Sequence, residues 1–134
     1  MAFEDTFRLS SHAVITDEQG RVLLLKATYG SQSWGLPGGA LEPEETIHQA
    51  LLRECREELG CEVEIKYLSG VYYHGSYNSQ AFIFRCELAP QGDIALSSEH
   101  SAHRFAAVDE LSAVQQHRIK ECLAFDGYVH SASF

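Results

Sequence analysis

The chain has 134 residues, enough for one domain with a substantial core and too few for two. Hydrophobic residues make up 45% of it and aromatic residues 10%, a composition typical of globular proteins rather than disordered ones. The formal net charge of −9 excludes a nucleic-acid polymer as the expected partner, because polyanions require a basic surface. A small phosphorylated ligand stays open, since bound cations can dominate the local field.

The cysteines and the first residues indicate the compartment. Cys55, Cys61, Cys86 and Cys122 form no CxxC pair and have no histidine at zinc-ligand spacing. The chain starts at Met1 with neither a basic region nor an apolar signal segment. We therefore expect a cytoplasmic protein with reduced thiols. No apolar run approaches the roughly 18 residues of a membrane span, so no membrane partner is expected.

The first predicted elements in chain order are strands. Residues 8–16 and 21–27 are rich in strand formers, and turn-forming residues lie between them at 17–20. This pattern predicts a β-hairpin. A short strand is predicted over residues 34–36, stopped by Pro37.

A helix is predicted to follow and to end at Gly60. Thr46 and Gln49 have the spacing of a capping box, and the acidic run at 42–45 suits a helix N-terminus. One face of this helix is apolar, and the acidic residues Glu54, Glu57 and Glu58 lie beside it.

The second half is predicted to contain strands over residues 62–71, 80–88 and 103–108, and a closing amphipathic helix over 114–125. The link at 72–79 is unusually aromatic. It is either a strand extension with ordinary surface tyrosines or a wall on which a nucleobase stacks. The connection at 89–94 is rich in turn formers.

The three helix glutamates have two interpretations. At about 100° per residue they fall within an arc of about 100°, so they repel one another in the absence of a counterion. They are either a solvated acidic face or a ligand set for a divalent cation such as Mg²⁺. The carboxylates alone favour the solvated face.

The surrounding spacing reverses that preference. A glycine is followed after five residues by a glutamate, after seven more by Arg-Glu, and then by a Glu-Glu pair and a glycine; these positions are Gly39, Glu45, Arg53, Glu54, Glu57, Glu58 and Gly60. This pattern resembles the signature of the Nudix hydrolases, and we refer to residues 39–61 as the Nudix box. Cys55 and Cys61 depart from it, because the family usually has an aliphatic residue there.

The resemblance implies a fold, a reaction and a cofactor. The implied fold is an α/β (α+β) sandwich with a mixed β-sheet between helices, in a single domain over residues 1–134. The family hydrolyses nucleoside diphosphates linked to another group, using water and usually Mg²⁺; Mn²⁺ is the alternative metal here. The sequence leaves a homodimer open.

The resemblance also implies roles for individual residues. The metal would be held by Glu57, Glu54, Glu58 and the carbonyl of Gly38. The catalytic base would be Glu54 or a glutamate on a later loop, for which Glu99 is the candidate. A family glutamate often found near the following strand is replaced by Ala102.

The remaining box positions imply supporting roles. Arg53 is a candidate catalytic residue, and it would also form an internal ion pair with Glu45. Gly39 and Gly60 would be structural.

The substrate is less determined than the reaction. Tyr73 and Tyr77 are candidates for binding it, and Tyr77 lies near a tyrosine position of the dinucleoside polyphosphate hydrolases. A nucleoside triphosphate is the first choice, because the chain has little beyond the minimal domain. Dinucleoside polyphosphates and nucleotide sugars of the ADP-ribose type are alternatives. A Nudix-fold module that binds nucleotides without hydrolysing them also stays open, and a purely structural role comes last.

Overall fold

The computed structural model describes residues 3–90 and 92–134. Within these ranges the elements are β1 (Arg8–Val14), β2 (Val22–Ala27), β3 (Trp34–Gly35), β4 (Gly38–Ala40), α1 (Ile47–Leu59), β5 (Val63–His74), β6 (Ser79–Leu88), β7 (His100–Ala106), α2 (Ala113–Leu123) and β8 (His130–Ser133). Met1, Ala2 and Gln91 lie outside the description. The structure therefore describes only part of the N-terminal segment before β1 and only part of the connection at 89–94.

The strands form two sheets. The larger has the order β4-β1-β6-β5-β8 and is mixed, because β1 runs parallel to β6 and β5 runs parallel to β8 while the other pairs are antiparallel. The smaller sheet, β3-β2-β7, is antiparallel. The prediction of a mixed α+β fold is confirmed, with two sheets instead of one.

The predicted hairpin between the first two strands is wrong. The turn is present, and Thr16 forms an isolated antiparallel bridge with Val22. Beyond that bridge β1 joins the larger sheet and β2 joins the smaller one. Both strands are almost fully buried near the turn, at Val14 and Leu23 among others, and alternate side chains of each strand lie in the two hydrophobic clusters.

Helix α1 begins and ends where the sequence indicates. The Thr46 hydroxyl accepts the Gln49 N–H at 3.1 Å, and the Gln49 side chain accepts the Thr46 N–H at 3.0 Å, which completes the predicted capping box. Gly60 ends the helix in the left-handed region, with φ 66°. The acidic run at 42–45 precedes the helix instead of occupying its first turn, because the cap lies at Thr46.

The two helices pack in separate hydrophobic clusters. Helix α1 buries Leu51, Cys55 and Leu59 in a cluster that includes Ala13 and Phe84. Helix α2 buries Ile119 and Cys122 in a second cluster, which includes the neighbouring strand residues Val14 and Ile83. Because successive residues of a strand point to opposite faces, the larger sheet lies between the two helices. The predicted sandwich is confirmed in this respect.

The second half decides one open alternative and contains one element that was not predicted. Strand β5 runs on through His74, so the first part of the aromatic link is a strand extension, and a 3-10 turn follows at Gly75–Tyr77. The helix predicted over 114–125 is confirmed as α2, but it is not the last element, because the chain adds β8 at the edge of the larger sheet. The short, polar sequence of β8 has no period that distinguishes it from a loop.

All four cysteines are free thiols, and Cys55, Cys86 and Cys122 are buried. Burial raises the pKa of the Cys86 thiol to about 12, so the neutral form predominates near pH 7. No helix among the described residues is long and apolar enough to cross a membrane.

Replacing Cys55 by valine is expected to leave activity nearly unchanged, because this position only packs in the α1 cluster. We expect a change in unfolding free energy below about 1.5 kcal/mol, since the two side chains are similar in volume. Thermal unfolding and steady-state turnover of the Cys55→Val variant test this. A large loss of turnover with stability intact would show that the thiol has a chemical role.

Candidate active site

Strand β4 and the last turns of α1 bring the predicted box residues together. Gly38 is paired with His12 of β1 and has φ 139°, a conformation that favours glycine. A Cβ atom at Gly38 would lie 2.1 Å from the Ser11 carbonyl oxygen, so no side chain fits. The Gly38 N–H donates to Oε1 of Glu58 at 2.9 Å, which joins the strand to the helix.

Gly39 serves a different purpose from Gly38. A Cβ atom there would lie 2.8 Å from the Glu54 carboxyl carbon. The absence of a side chain therefore allows the Glu54 carboxylate to approach the backbone of β4.

The acids at the end of α1 are poorly solvated. Glu58 is only 4% exposed, and burial raises its pKa to about 8, with the nearby charges of Glu54 and Glu99 adding to the shift. The pKa of Glu54 is also raised, mainly by burial and despite a hydrogen bond from Arg53. An acidic face in contact with bulk water would show neither effect, so Glu54 and Glu58 do not form a fully solvated face.

Arg53 lies among the acids and ties them to the loop before the helix. Its Nε and Nη2 atoms donate to both oxygens of Glu45, at 2.7 and 2.9 Å, and Nη2 also reaches the Ala40 carbonyl at 3.2 Å. Its Nη1 atom lies 3.0 Å from Glu54 and 3.3 Å from Glu57. The hydrogen bonds from Arg53 lower the pKa of Glu45 to about 2. The ion pair implied by the resemblance is present, and it braces the loop and helix as one unit.

Glu57 and Glu99 are the exposed acids near the cluster. The Glu57 side chain is 59% exposed. Glu99 lies in the loop before β7, which is held to the end of β2 by a hydrogen bond from the Thr28 N–H to the Glu99 carbonyl. The Glu99 charge contributes to the raised pKa of both Glu54 and Glu58, although Glu99 is 41 residues beyond Glu58 in the sequence.

The donor set suits a hard divalent cation. Carboxylate oxygens are the ligands that Mg²⁺ prefers, and the nearby charges of Glu54 and Glu99 contribute to the raised pKa of Glu58. Across residues 3–90 and 92–134, however, no three His, Cys, Asp or Glu side chains are already arranged to hold a metal ion. The carboxylates are therefore chemically suitable ligands for a divalent cation, and Arg53 compensates part of their negative charge.

A cleft of about 400 Å³, which we term the main cleft, opens beside the box. Gly38 and Gly39 form one part of its lining, and Tyr77 and His100 are among the others. Tyr77 is 70% exposed, so its ring is available to a ligand. Tyr73 does not line the main cleft; its hydroxyl donates to Asn78 Oδ1 at 2.7 Å and its ring contacts Phe7 edge-on.

The structure adds residues that the sequence interpretation missed. A second cavity of about 260 Å³ shares Arg8, His12 and Tyr77 with the main cleft and extends to Arg118 on α2. A signal for Arg118 was present, because it lies four residues before Cys122 on the buried face of an amphipathic helix. Arg8, at the start of a strand, gave no such signal.

Replacing Arg53 by lysine is expected to lower turnover by about 10–100-fold, because lysine cannot bind both Glu45 oxygens and the Ala40 carbonyl together. Arg56→Lys is the control, since Arg56 pairs with Glu62 on the exposed side of the same helix. Turnover of the two variants under identical conditions checks this. Equal, small losses in both would show that the Arg53 contacts do not matter for the reaction.

The fold and the box together define the class of protein. The NUDIX domain family matches residues 6–124, so the chain belongs to this family. The resemblance drawn from the box is confirmed.

Two individual relatives show how similar this chain is to known proteins. The chain is 37% identical over 105 residues to a MutT-like protein of Streptomyces ambofaciens, covering 78% of this chain and 66% of the relative. It is 35% identical over 65 residues to an RNA pyrophosphohydrolase of Saccharophagus degradans, covering 48% of this chain and 38% of that protein. The matched segments thus span between about a third and two thirds of these relatives.

Solved structures share the fold at lower identity. An ADP-ribose pyrophosphatase of Streptococcus suis superimposes with a TM-score of 0.77 at 21% identity, covering 95% of this chain and all of the other. A MutT protein of Methanosarcina mazei gives 0.74 at 22% identity, covering 95% and 100%. These structures support the fold.

Proposed function

We propose that this chain is a Nudix hydrolase that uses water and a divalent cation to cleave a pyrophosphate bond in a nucleoside diphosphate linked to another group. Membership of the NUDIX family supports this, as do relatives that carry the names MutT-like protein and RNA pyrophosphohydrolase. The observation that carries it is the acid cluster at the end of α1 beside an open cleft: Glu58 is buried, Glu54 is half-buried, and the exposed Glu99 raises the pKa of both. Burying Glu58 costs stability, and carboxyl groups with raised pKa values are concentrated at functional sites.

The proposed metal ligands are Glu57, Glu54, Glu58 and the carbonyl of Gly38, and the proposed ion is Mg²⁺, with Mn²⁺ as the alternative. When bound, a divalent cation neutralises the approaching diphosphate and lowers the pKa of a bound water toward neutrality. Glu57 is the first choice as ligand, because it is the exposed member of the set and can turn toward the cleft.

The protein's own groups position the reaction. Glu54 or Glu99 would accept the proton of the attacking water, and the raised pKa of Glu54 brings its carboxylate closer to the range suited to a general base. Arg53 would hold Glu54 and Glu57 in place through its contacts at 3.0 and 3.3 Å. The Gly38 N–H would fix the orientation of Glu58.

A nucleoside triphosphate is the first proposed substrate, and dinucleoside polyphosphates and nucleotide sugars are the alternatives. The exposed ring of Tyr77 at the main cleft is suited to stacking on a nucleobase. Tyr73, in contact with Phe7 and Asn78, is a weaker candidate for the same role.

The competing proposal is a module that binds nucleotides without cleaving them. The intact acid set favours hydrolysis, because a binding module gains nothing from mutually repelling carboxylates. A partner of macromolecular size is not part of either proposal.

A panel of nucleotides distinguishes these proposals. The purified chain is incubated with Mg²⁺ and nucleoside triphosphates, dinucleoside polyphosphates, ADP-ribose or nucleotide sugars, and released phosphate, pyrophosphate and nucleoside monophosphate are quantified. Release from at least one class, abolished by EDTA, is expected. Saturable binding with no product from any class would support the binding module instead.

A further inference from the structure

A buried arginine without a counter-charge lies at the inner end of the second cavity. Arg118 is 8% exposed, and within the described part of the chain no carboxylate lies within ion-pair distance of its guanidinium. Its Nη1 atom contacts Nε2 of His74 at 3.1 Å, and its Nη2 atom donates to Oε1 of Gln115 at 2.5 Å. Its Nε atom is buried and has no hydrogen-bond partner. Both partners are uncharged, so the guanidinium charge is uncompensated.

The charged side chains that line the cavity around Arg118 are both arginines, Arg8 and Arg118 itself. We term it the arginine pocket, and define it by Arg8, Ser10, His12, His74, Ser79 and Arg118. No acidic side chain lines it, although the chain as a whole carries a formal charge of −9. Two guanidinium groups therefore line a space of about 260 Å³ together with Ser79, whose hydroxyl can donate a hydrogen bond, and Ser10, whose hydroxyl is hydrogen-bonded to His12.

His74 does not add to the positive charge of the pocket. Its pKa is lowered by burial and by the charge of Arg118. Since an arginine can only donate, Nε2 of His74 accepts from Arg118. His12 is occupied within the pocket, because its Nε2 atom is hydrogen-bonded to Ser10 Oγ at 2.9 Å.

An unpaired buried cation is costly, and the cost falls when an anion enters. A neutral nucleobase could accept one or two hydrogen bonds from Arg118 but would leave its charge uncompensated. A phosphate or carboxylate would accept from the guanidinium fork and from Ser79, and its negative charge would compensate that of the arginines. The main cleft reaches Gly38 and Gly39 and shares Arg8, His12 and Tyr77 with the arginine pocket, so one ligand can contact both.

We propose that the arginine pocket binds a third anionic group of the substrate, one outside the two phosphates that flank the cleaved bond. The inference rests on the proposed function and narrows its substrate class. Substrates with such a group include a triphosphate, through its third phosphate, and a nucleotide sugar that bears a carboxylate.

The first experiment measures anion binding without turnover. Inorganic phosphate is titrated in Mg²⁺-containing buffer into the full chain and into its Arg118→Met and Lys120→Met variants, and binding is followed by calorimetry. Lys120 is the matched control, since it is exposed on the same helix and does not line the arginine pocket. We expect saturable binding that weakens at least tenfold in Arg118→Met and is retained in Lys120→Met.

The outcomes of this titration separate the two binding places. Phosphate held only near the acids would bind Arg118→Met as well as the unmodified chain, which would overturn the inference, as would the absence of saturable binding. Thermal unfolding accompanies the titration. Arg118→Met is expected to be at least as stable as the unmodified chain, because it removes an unpaired buried charge.

The second experiment compares matched substrates by kcat/KM: ATP against ADP, and UDP-glucuronic acid against UDP-glucose. The anion-bearing member of a hydrolysed pair is expected to be favoured at least tenfold, and Arg118→Met is expected to abolish that preference. A preference that follows the nucleobase, such as GTP over ATP, and that disappears in Arg118→Met would overturn the inference in favour of base reading. Phosphate binding without any hydrolysis would instead contradict only the proposed function.

Discussion

Glu57→Gln is expected to lower Mg²⁺-dependent turnover by at least about 10²–10³-fold, the loss typical of removing one strong electrostatic group from a reaction centre. The Glu57 side chain is 59% exposed and touches only Arg53 within the box, so its removal should leave the fold intact. The amide is nearly isosteric but carries no charge for the metal. Steady-state turnover over a range of Mg²⁺ concentrations measures the effect.

Glu62→Gln is a close control for this variant. Glu62 is also 59% exposed and also pairs with an arginine, at 2.7 Å from Arg56, but it lies beyond the end of α1 and outside the box. We expect its turnover to stay within about twofold of the unmodified chain. If a folded Glu57→Gln protein turned over as fast as Glu62→Gln, the assignment of Glu57 as a metal ligand would be refuted.

Gly38→Ala is expected to cost about 3 kcal/mol or more of unfolding free energy and to abolish activity in what remains folded. The added Cβ would meet the Ser11 carbonyl oxygen at 2.1 Å and the His12 Cα at 2.7 Å, and both are backbone atoms of the neighbouring strand. Strand β4 would have to move away from β1, and the hydrogen bond from Gly38 to Glu58 would move with it.

Gly20→Ala separates the packing effect from backbone strain. Gly20 also has a positive φ, 75°, but nothing lies within 4 Å of the position of its added Cβ. We expect a cost of about 1–2 kcal/mol there, with turnover unchanged. Chemical denaturation of both variants measures the difference, and equal losses would show that the close approach at Gly38 is unimportant.

The spacing of the Nudix box was sufficient to predict the unit that carries the acids. The capping box at Thr46, the left-handed Gly60 and the ion pair between Arg53 and Glu45 all lie within 21 residues of Gly39. These interactions are local, so a sequence pattern specifies them without knowledge of the rest of the chain.

Other features depend on residues that are far apart in the sequence. The hairpin was predicted between neighbouring strands because local turn chemistry is the strongest short-range signal. In the structure β1 instead pairs with β6, about 70 residues further on, while β2 pairs with β7, and both strands supply side chains to both hydrophobic clusters. No local sequence pattern predicts such a pairing.

By itself, the sequence determined the family, the fold class and the acid set at the end of α1, because fixed spacing on one helix puts those side chains on one face. Only the tertiary structure decided how deeply Glu58 is buried, that the charge of Glu99 acts on Glu58, and that Arg118 and Arg8 line the same cavity. The burial of a side chain and the charges around it depend on how the helices and strands pack together. They arise only when strands from both ends of the chain are assembled.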